Sequence, residues 1–236
     1  MTCTGWEGIS VTDISRIEQK YPITLAQAQQ IRKRLALFAS EDPHNGPGGY
    51  WVNSVYFDTP NDRDYRDKRS GERIRQKVRL RVYGEEDRAK LELKEKLGAF
   101  QRKRSLSLEA DQAEAALRGD YSFLRDMEGP FAEEMYLLLV TRCYRPKMRL
   151  SYRRRAYCLP ENDTRITFDG ELSTGPVEKS LPFQSPTLPV FSGGWLTLEV
   201  KYRDFLLSNL KLALGEDLLP QASAGKYSLS RQASGM

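Results

Sequence analysis

The chain has 236 residues, and although 29% of them are charged the formal net charge is only +5, so its positive clusters must be offset by acidic residues elsewhere. This length allows one large domain or two small ones. The sequence has no apolar run of about 18 residues, so no membrane span is expected, and residues 1–10 lack the features of a signal peptide. Cys3, Cys143 and Cys158 have neither metal-binding nor disulfide spacing, which favours a reducing compartment, the cytoplasm. The single histidine, His44, lies in a Pro- and Gly-rich loop, which argues against His-dependent hydrolysis and zinc binding.

Hydrophobic periodicity predicts strands and helices along the whole chain. In chain order they are a strand at 9–21, a helix at 25–38 capped by Thr24, a strand at 50–58, a short helix or loop at 62–71, strands at 72–83 and 89–96, a flexible turn at 98–103, a short strand at 105–108, helices at 111–118 and 131–144, strands at 146–158 and 164–170, a connector at 173–194, a strand at 196–203 and a helix at 205–214. The strands at 72–96 and at 146–170 are each expected to form a hairpin. The ordered core is expected to span about 9–229, and the residues after it to fray.

The most informative stretch is the strand at 73–83. Every odd position from 73 to 81 is Arg or Lys, whereas the even positions are mostly apolar. Side chains on a strand alternate between its two sides, so one side of this strand is a row of positive charge. A solvated basic face is one interpretation of a single such strand.

The same alternation recurs in other strands. The charged or polar sides are Arg16, Glu18 and Lys20; Glu92, Lys94 and Lys96; Arg149, Ser151, Arg153 and Arg155; Arg165, Thr167 and Asp169; and Thr197, Glu199, Lys201 and Arg203. A flat sheet with these faces would repel itself unless a polyanion neutralised it.

A rolled antiparallel sheet would resolve this conflict. Its charged faces would line a tunnel and its apolar faces would be covered by the helices outside, giving an α+β fold. Arg and Lys suit a chain of phosphates as the ligand of this interior. The interleaved acids Glu18, Glu92 and Glu199 either pair with neighbouring cations or hold a divalent metal that bridges phosphates.

Six segments, in this order, resemble a known family. They are Arg16–Tyr21, Ser54–Pro60, Lys77–Gly84, Leu91–Lys94, Leu198–Tyr202 and Lys226–Ser228. Together they are similar to the catalytic domain of the VTC (vacuolar transporter chaperone) proteins, in the triphosphate tunnel metalloenzyme (CYTH-like) superfamily. The resemblance covers about residues 14–229. Arg16 stands where the superfamily pattern has a first Glu, which VTC sequences tolerate and which argues against a two-metal triphosphatase.

The resemblance implies a single VTC-type domain over 1–236, built as an eight-stranded antiparallel β-barrel tunnel. It also implies polyphosphate synthesis from ATP with release of ADP, and a requirement for Mn²⁺ or Mg²⁺. Polyphosphate or triphosphate and ATP are the implied ligands. Nucleic acid is not expected, because Tyr83, Tyr152 and Tyr202 are not interleaved on the basic face as stacking platforms.

The resemblance also implies the residues of the site. Glu199 is the implied metal ligand, and Lys20, Arg79, Arg81 and Glu199 are the implied catalytic residues. The implied phosphate ligands are Lys20, Arg79, Arg81, Lys94, Arg153, Arg165, Lys201 and Lys226. Two alternatives stay open at this point: a triphosphatase that uses water as the acceptor, and a polyphosphate-binding module without turnover.

Overall fold

The computed structural model describes residues 9–13, 17–84, 88–98, 100–191, 193–215, 221 and 225–233. The strands are β1 (Ile9–Asp13), β2 (Ile17–Thr24), β3 (Ser40–Glu41), β4 (Tyr50–Asp58), β5 (Ile74–Tyr83), β6 (Ala89–Leu97), β7 (Phe100–Leu108), β8 (Arg145–Leu159), β9 (Thr164–Gly175), β10 (Leu188–Pro189) and β11 (Trp195–Tyr202). The helices are α1 (Leu25–Leu35), α2 (Arg63–Arg69), α3 (Ala110–Arg118), α4 (Pro130–Thr141), α5 (Ser208–Leu214) and α6 (Lys226–Ala233), with single 3₁₀ turns at Ser122–Arg125 and Glu161–Asp163. The expected α+β class is confirmed.

Hydrogen bonds join the strands into one sheet in the order β1-β7-β6-β5-β4-β8-β9-β11-β2, with β3 on β8 and β10 on β9. The described residues therefore contain 11 strands in this sheet, compared with the eight implied by the family resemblance. The difference includes short additions, because β3 and β10 have two residues each. The registers between β5, β6 and β7, and between β9, β11 and β2, are antiparallel, as expected.

The chain divides into two compact units. The first unit comprises the described residues of Met1–Ile14, Asn53–Leu150 and Thr174–Thr187. The second unit comprises those of Ser15–Val52, Ser151–Ser173 and Leu188–Met236.

The core of the first unit lies between one face of β5, β6 and β7 and the helices α3 and α4. Val78, Leu80, Leu91 and Leu93 are the even-numbered side of β5 and the odd-numbered side of β6, and each is at most 1% exposed. They pack with α3 and α4 residues, among them Ala116, Met135 and Leu139. Burying large aliphatic side chains stabilises the fold by roughly 1.5–3 kcal/mol each, so this pairing holds the opposite, charged face in place.

The second unit has an equivalent core between β2, β9 and β11 and the helices α1 and α5. Tyr21, Ile166, Phe168, Leu198 and Val200 are its sheet residues, and they pack against residues of α1 and α5, among them Ile31, Leu35 and Leu210. The predicted cap of α1 is confirmed, because the Thr24 hydroxyl accepts a hydrogen bond from the Gln27 amide at 3.3 Å. The expectation that helices cover the apolar faces is thus confirmed in each unit.

Three local predictions were wrong. The single strand expected at 9–21 is two strands, β1 and β2, which pair with different partners, β7 and β11. Residues 101–103, expected in a flexible turn, belong to β7, which pairs with β6 from Ala89 opposite Leu108 to Leu97 opposite Phe100. Residues 226–233 form α6, although fraying was expected from 230 onward; Tyr227 and Arg231 are only 2% and 6% exposed, so tertiary packing holds this polar helix. In the part of the chain that is described, no helix combines the length and the apolar character needed to cross a bilayer.

Candidate functional site

The charged face of the first unit is assembled by the register of β5, β6 and β7. Arg79 lies directly opposite Glu92, Lys77 lies opposite Lys94, and Lys94 in turn lies opposite Lys103. Residues directly opposite each other share one face of a sheet, and like charges in that position repel. The row Lys77, Lys94 and Lys103 therefore concentrates positive charge across three strands.

Glu92 holds the middle of this cluster. Its side chain is completely buried, Arg79 Nε lies 2.5 Å from its Oε2, and Lys103 Nζ lies 2.6 Å from its Oε1. Burial alone would raise the pKa of Glu92, but the charges of Arg79, Arg81 and Lys103 hold it well below its usual value. Glu92 is therefore an anion that positions cations, which supports the salt-bridge interpretation of this residue.

Strand β4 adds two hydroxyl groups to the same cluster. Arg81 Nε donates to Ser54 Oγ at 3.3 Å, and Arg79 Nη1 donates to the Tyr56 hydroxyl at 3.3 Å. Burial would raise the pKa of Tyr56, but the charges of Arg79, Lys77 and Arg81 lower it to about 8. Both guanidinium groups are thus fixed in place, and each is less than 10% exposed.

The second unit carries a separate charged cluster, centred on β11. Glu199 lies directly opposite Lys20 of β2 and opposite Thr167 of β9. Lys201, two residues further, lies opposite Glu18 and Arg165. Alternating acids and bases on neighbouring strands therefore share one face, opposite the apolar face that packs on α1 and α5.

Glu199 is the one acidic residue of β11, and it is nearly enclosed. It is 6% exposed, and its Oε1 lies 2.5 Å from Lys201 Nζ. Burial would raise the pKa of Glu199, but Lys201, Lys20, Lys226 and Arg154 hold it well below its usual value. The carboxylate is therefore ionised and surrounded by cations, which is an environment suited to phosphate oxygens as further ligands.

Asp169 joins two further cations to this cluster. Arg154 donates from Nε to Asp169 Oδ1 at 2.6 Å and from Nη2 to Oδ2 at 2.7 Å, and Lys226 Nζ lies 2.6 Å from Oδ2. Burial would raise the pKa of Asp169, but Arg154 and Lys226 lower it to about 2. Lys226 begins α6, so the last described helix supplies a cation to the site.

The structure brings most of the predicted site residues together within their units. In the first unit these are Arg79, Arg81 and Lys94, which share the charged face around Glu92. In the second unit they are Lys20, Glu199, Lys201 and Lys226, together with Arg165 by register. Arg16 lies outside the described residues.

Two predicted phosphate ligands have other partners. Arg165 Nη2 lies 2.5 Å from Asp42 Oδ2, at the Lys201 end of the cluster. Arg153 lies 5.9 Å from the centre of the Trp51 ring and 3.6 Å from Glu171, with 41% of its side chain exposed. The structure therefore does not bring Arg153 to Glu199.

Arg154, rather than Arg153, occupies the cluster, and sequence reasoning missed it together with Asp169 and Lys103. Residues 153–155 are three consecutive arginines, so alternation alone could not show which of them faces the acids. In the structure Tyr152 shares a side of β8 with Arg154, and the centre of its ring lies 4.9 Å from Lys226 Nζ. Alternation had placed that side opposite the charged one, so it offered no signal for Arg154.

The carboxylates of the second unit fit a metal that arrives with a phosphate ligand. Among the residues that can be described, no group of three or more His, Cys, Asp or Glu side chains is arranged to hold an ion alone. Glu199 and Glu18 lie on adjacent strands, and the pKa of Glu18 is also lowered by Lys20 and Lys201 against the opposing effects of burial and Glu199. Mg²⁺ is commonly held by one or two carboxylates together with substrate phosphates, and this donor set fits that mode.

Comparison with known proteins places the chain in a family. Residues 15–234 match the family model described as the VTC domain. Among solved structures, the fold is similar to that of a putative adenylate cyclase from Bacillus halodurans, with a TM-score of 0.51 and 14% identity over 93% of this chain and 96% of that one. It is similar to that of a putative adenylate cyclase from Vibrio parahaemolyticus, with a TM-score of 0.51 and 11% identity over 92% and 98% of the two chains.

A search of curated proteins gave no match. At these identities the two solved structures show a shared fold and nothing about the reaction. The family model covers almost the whole chain, including both charged clusters. The expected family is confirmed: this chain belongs to the VTC domain family.

Proposed function

We propose that this protein is a polyphosphate polymerase that transfers the γ-phosphate of ATP to the end of a growing polyphosphate chain. The observation that carries the proposal is the second-unit cluster, in which one buried carboxylate, Glu199, is surrounded by Lys20, Lys201, Lys226 and Arg154. Membership of the VTC domain family supports the same activity. A cluster of this kind neutralises the charge of several phosphate groups at once.

The first-unit cluster supports phosphate binding independently. Arg79 and Arg81 are buried and fixed by hydrogen bonds, and Lys94 lies in a row of three lysines. Arginines held in this way bind phosphate oxygens without a large loss of side-chain freedom. We therefore propose Arg79, Arg81 and Lys94 as phosphate ligands of the first unit, and Lys20, Lys201, Lys226 and Arg154 as those of the second.

The protonation states favour transfer to an acceptor that is already anionic. In the reaction, a terminal phosphate oxygen of the acceptor forms a bond to the γ-phosphorus while the bond from that phosphorus to the β,γ-bridging oxygen breaks, leaving ADP. Glu199 and Asp169 are weak bases, because neighbouring cations lower the pKa of both. An anionic acceptor needs no strong base, so positioning and charge neutralisation are sufficient.

Glu199 would hold a Mn²⁺ or Mg²⁺ ion, which when bound supplies further positive charge to the phosphate oxygens. Lys20 and Lys201 flank this carboxylate and orient it. We place the reaction in the cytoplasm, because Cys143 and Cys158 are free thiols, as a reducing compartment would keep them.

The test is to incubate the purified protein with γ-labelled ATP and Mn²⁺ and to resolve the products on a gel. A ladder of acid-labile polyanion with matching ADP is the expected result. Release of orthophosphate alone would instead identify a hydrolase, and unchanged ATP with polyphosphate-induced thermal stabilisation would identify a binding module.

The Glu199→Gln variant tests the site itself. It is expected to lose turnover, because the amide keeps the shape of the carboxylate but not its charge. Since buried cations lose their anion, the variant is also expected to be destabilised, and its turnover is measured at a temperature at which circular dichroism shows that it is folded. Glu171→Gln is the matched control: Glu171 is 58% exposed and contacts only the exposed Arg153 at 3.6 Å among its described ion-pair partners. Turnover of Glu199→Gln at the level of Glu171→Gln would refute the role of Glu199.

A further inference from the structure

Thr167 is a buried hydroxyl residue at the centre of the second-unit cluster. It is 3% exposed and lies directly opposite Glu199 in the register of β9 and β11. Its Oγ1 has no hydrogen-bond partner among the residues that the structure describes. Buried hydroxyl groups are normally hydrogen-bonded, and leaving one without a partner costs free energy, so this position calls for a ligand.

The position of Thr167 places it among the charged residues of the cluster. Arg165 and Asp169 flank it on the same face of β9, and its neighbour across the sheet is the carboxylate proposed to hold a divalent ion. The side chains on either side of it in sequence, Ile166 and Phe168, are buried in the apolar core. The hydroxyl therefore belongs to the charged face and not to the core.

The composition of the cluster indicates which ligand this hydroxyl serves. Phosphate oxygens accept hydrogen bonds, and four cations already offer donors around Glu199. Water molecules on a divalent ion donate hydrogen bonds and need acceptors. Glu18 is already ion-paired with Lys20, and Asp169 with Arg154 and Lys226. The hydroxyl oxygen of Thr167 can instead accept a hydrogen bond from such a water molecule.

We propose that Thr167 is a positioning residue whose hydroxyl oxygen accepts a hydrogen bond from a water molecule of the divalent cation held by Glu199. This inference rests on the proposed function of Glu199. A protein site that offers few carboxylates leaves several waters on Mg²⁺ or Mn²⁺, and groups that bind those waters fix the orientation of the ion. Thr167 would thereby tune metal affinity without touching the metal or the phosphates.

The experiment compares Thr167→Val, which keeps the side-chain shape but removes the hydroxyl, with Thr167→Ser, which keeps the hydroxyl. Binding of Mn²⁺ is measured by electron paramagnetic resonance in the presence of the β,γ-imido analogue of ATP, which the enzyme does not cleave at the γ-phosphate. Loss of an outer-shell partner is expected to weaken Mn²⁺ binding about 10-fold in Thr167→Val. Thr167→Ser is expected to bind Mn²⁺ nearly as tightly as the wild type.

Two further measurements separate this role from a structural one. The melting temperature of Thr167→Val without ligands is expected to be no lower than that of the wild type, because no hydrogen bond within the protein is lost. Affinity for the ATP analogue in EDTA is expected to be unchanged. A lower melting temperature would show a structural role, and weaker analogue binding in EDTA would show a direct phosphate contact; either result would overturn the proposal.

Failure of this inference can be distinguished from failure of the proposed function. If the wild type binds Mn²⁺ and Glu199→Gln does not, but Thr167→Val binds like the wild type, only the role of Thr167 is refuted. If Glu199→Gln binds Mn²⁺ as well as the wild type does, the proposed metal site is refuted and the inference about Thr167 with it.

Discussion

Replacing Glu92 by Gln should destabilise the protein strongly, because it leaves the buried Arg79 and the more exposed Lys103 without their anion. Glu92 is completely buried and contacts Arg79 at 2.5 Å and Lys103 at 2.6 Å. With charge centres about 4 Å apart and an effective dielectric constant of about 20, each pair contributes about 4 kcal/mol of attraction. Desolvation of a buried ion offsets several kcal/mol of this, and removing one partner of a buried pair typically costs about 3–5 kcal/mol.

For a chain of this size, a loss of about 3–5 kcal/mol corresponds to a fall in melting temperature of roughly 6–20 °C. The measurement is thermal unfolding followed by circular dichroism in a buffer without phosphate or sulfate. Adding tripolyphosphate should recover part of the lost stability, because an anion on the charged face takes over the neutralising role of Glu92.

Glu95→Gln is the matched control, since it is the same change on the same strand. Glu95 is 35% exposed and pairs with Arg104 at 2.8 Å, but Arg104 also has Glu134 as a partner, at 2.7 Å. This variant should lose less than about 1 kcal/mol. If Glu92→Gln melted within 1–2 °C (about 0.5 kcal/mol) of Glu95→Gln, the view of Glu92 as the anion that holds the cluster would be refuted.

Two further variants test the surroundings of the site. Burial and the neighbouring Asp58 carboxylate raise the pKa of Asp64 to about 7. The unfolded state therefore loses this proton at lower pH than the folded state does, and the free energy of unfolding of the wild type should fall by up to about 4 kcal/mol as the pH rises from 4 through 7. In urea denaturation at a series of pH values, Asp64→Asn should show a flatter dependence over this range, and a wild-type free energy that is already constant there would contradict the assignment. Gly49→Ala should destabilise the second unit well beyond the roughly 1–2 kcal/mol of a left-handed residue, because Gly49 has φ +88° and an added Cβ would lie 2.3 Å from the Arg154 carbonyl oxygen. Its control is Gly71→Ala, at φ +73° with open space around it, and equal melting temperatures for the two variants would refute the steric explanation.

The strands of the charged faces could be predicted because their two sides differ so clearly. The β5 and β6 hairpin follows directly from alternation, and its observed register, with Arg79 opposite Glu92, joins residues that the pattern had assigned to charged sides. The hairpin of β8 and β9 was predicted in the same way. Alternation fails where both sides of a strand are charged. Strand β7 places Lys103 on the charged face, whereas Arg104 Cζ lies on the other side, 4.5 Å from the centre of the Phe131 ring of α4. Because both sides of the strand carry cations, its sequence resembles that of a basic loop.

The identity of the site residues was only partly predictable. Alternation on two strands assigned Glu199, Lys20 and Lys201 to charged sides, the family resemblance implied their roles, and the observed register brings them together. Arg154 was not identified, because a run of three arginines hides the side that faces Asp169. Lys226 came from the family resemblance, whereas the helix that it begins was not predicted. The segment is short and contains two serines, which favour turns over helix interiors, and the packing of Tyr227 and Arg231 stabilises it.

The row formed by Lys77, Lys94 and Lys103 has a practical consequence for handling this protein. A surface that gathers like charge across three strands lowers its own energy whenever a multivalent anion is present. Sulfate, phosphate and citrate in a purification buffer would therefore stay bound to the purified protein and compete with added phosphate ligands. Their presence would hide both weak ligand binding and low turnover. Conversely, any phosphorylated small molecules present while the chain folds would reduce this repulsion by serving as temporary counterions.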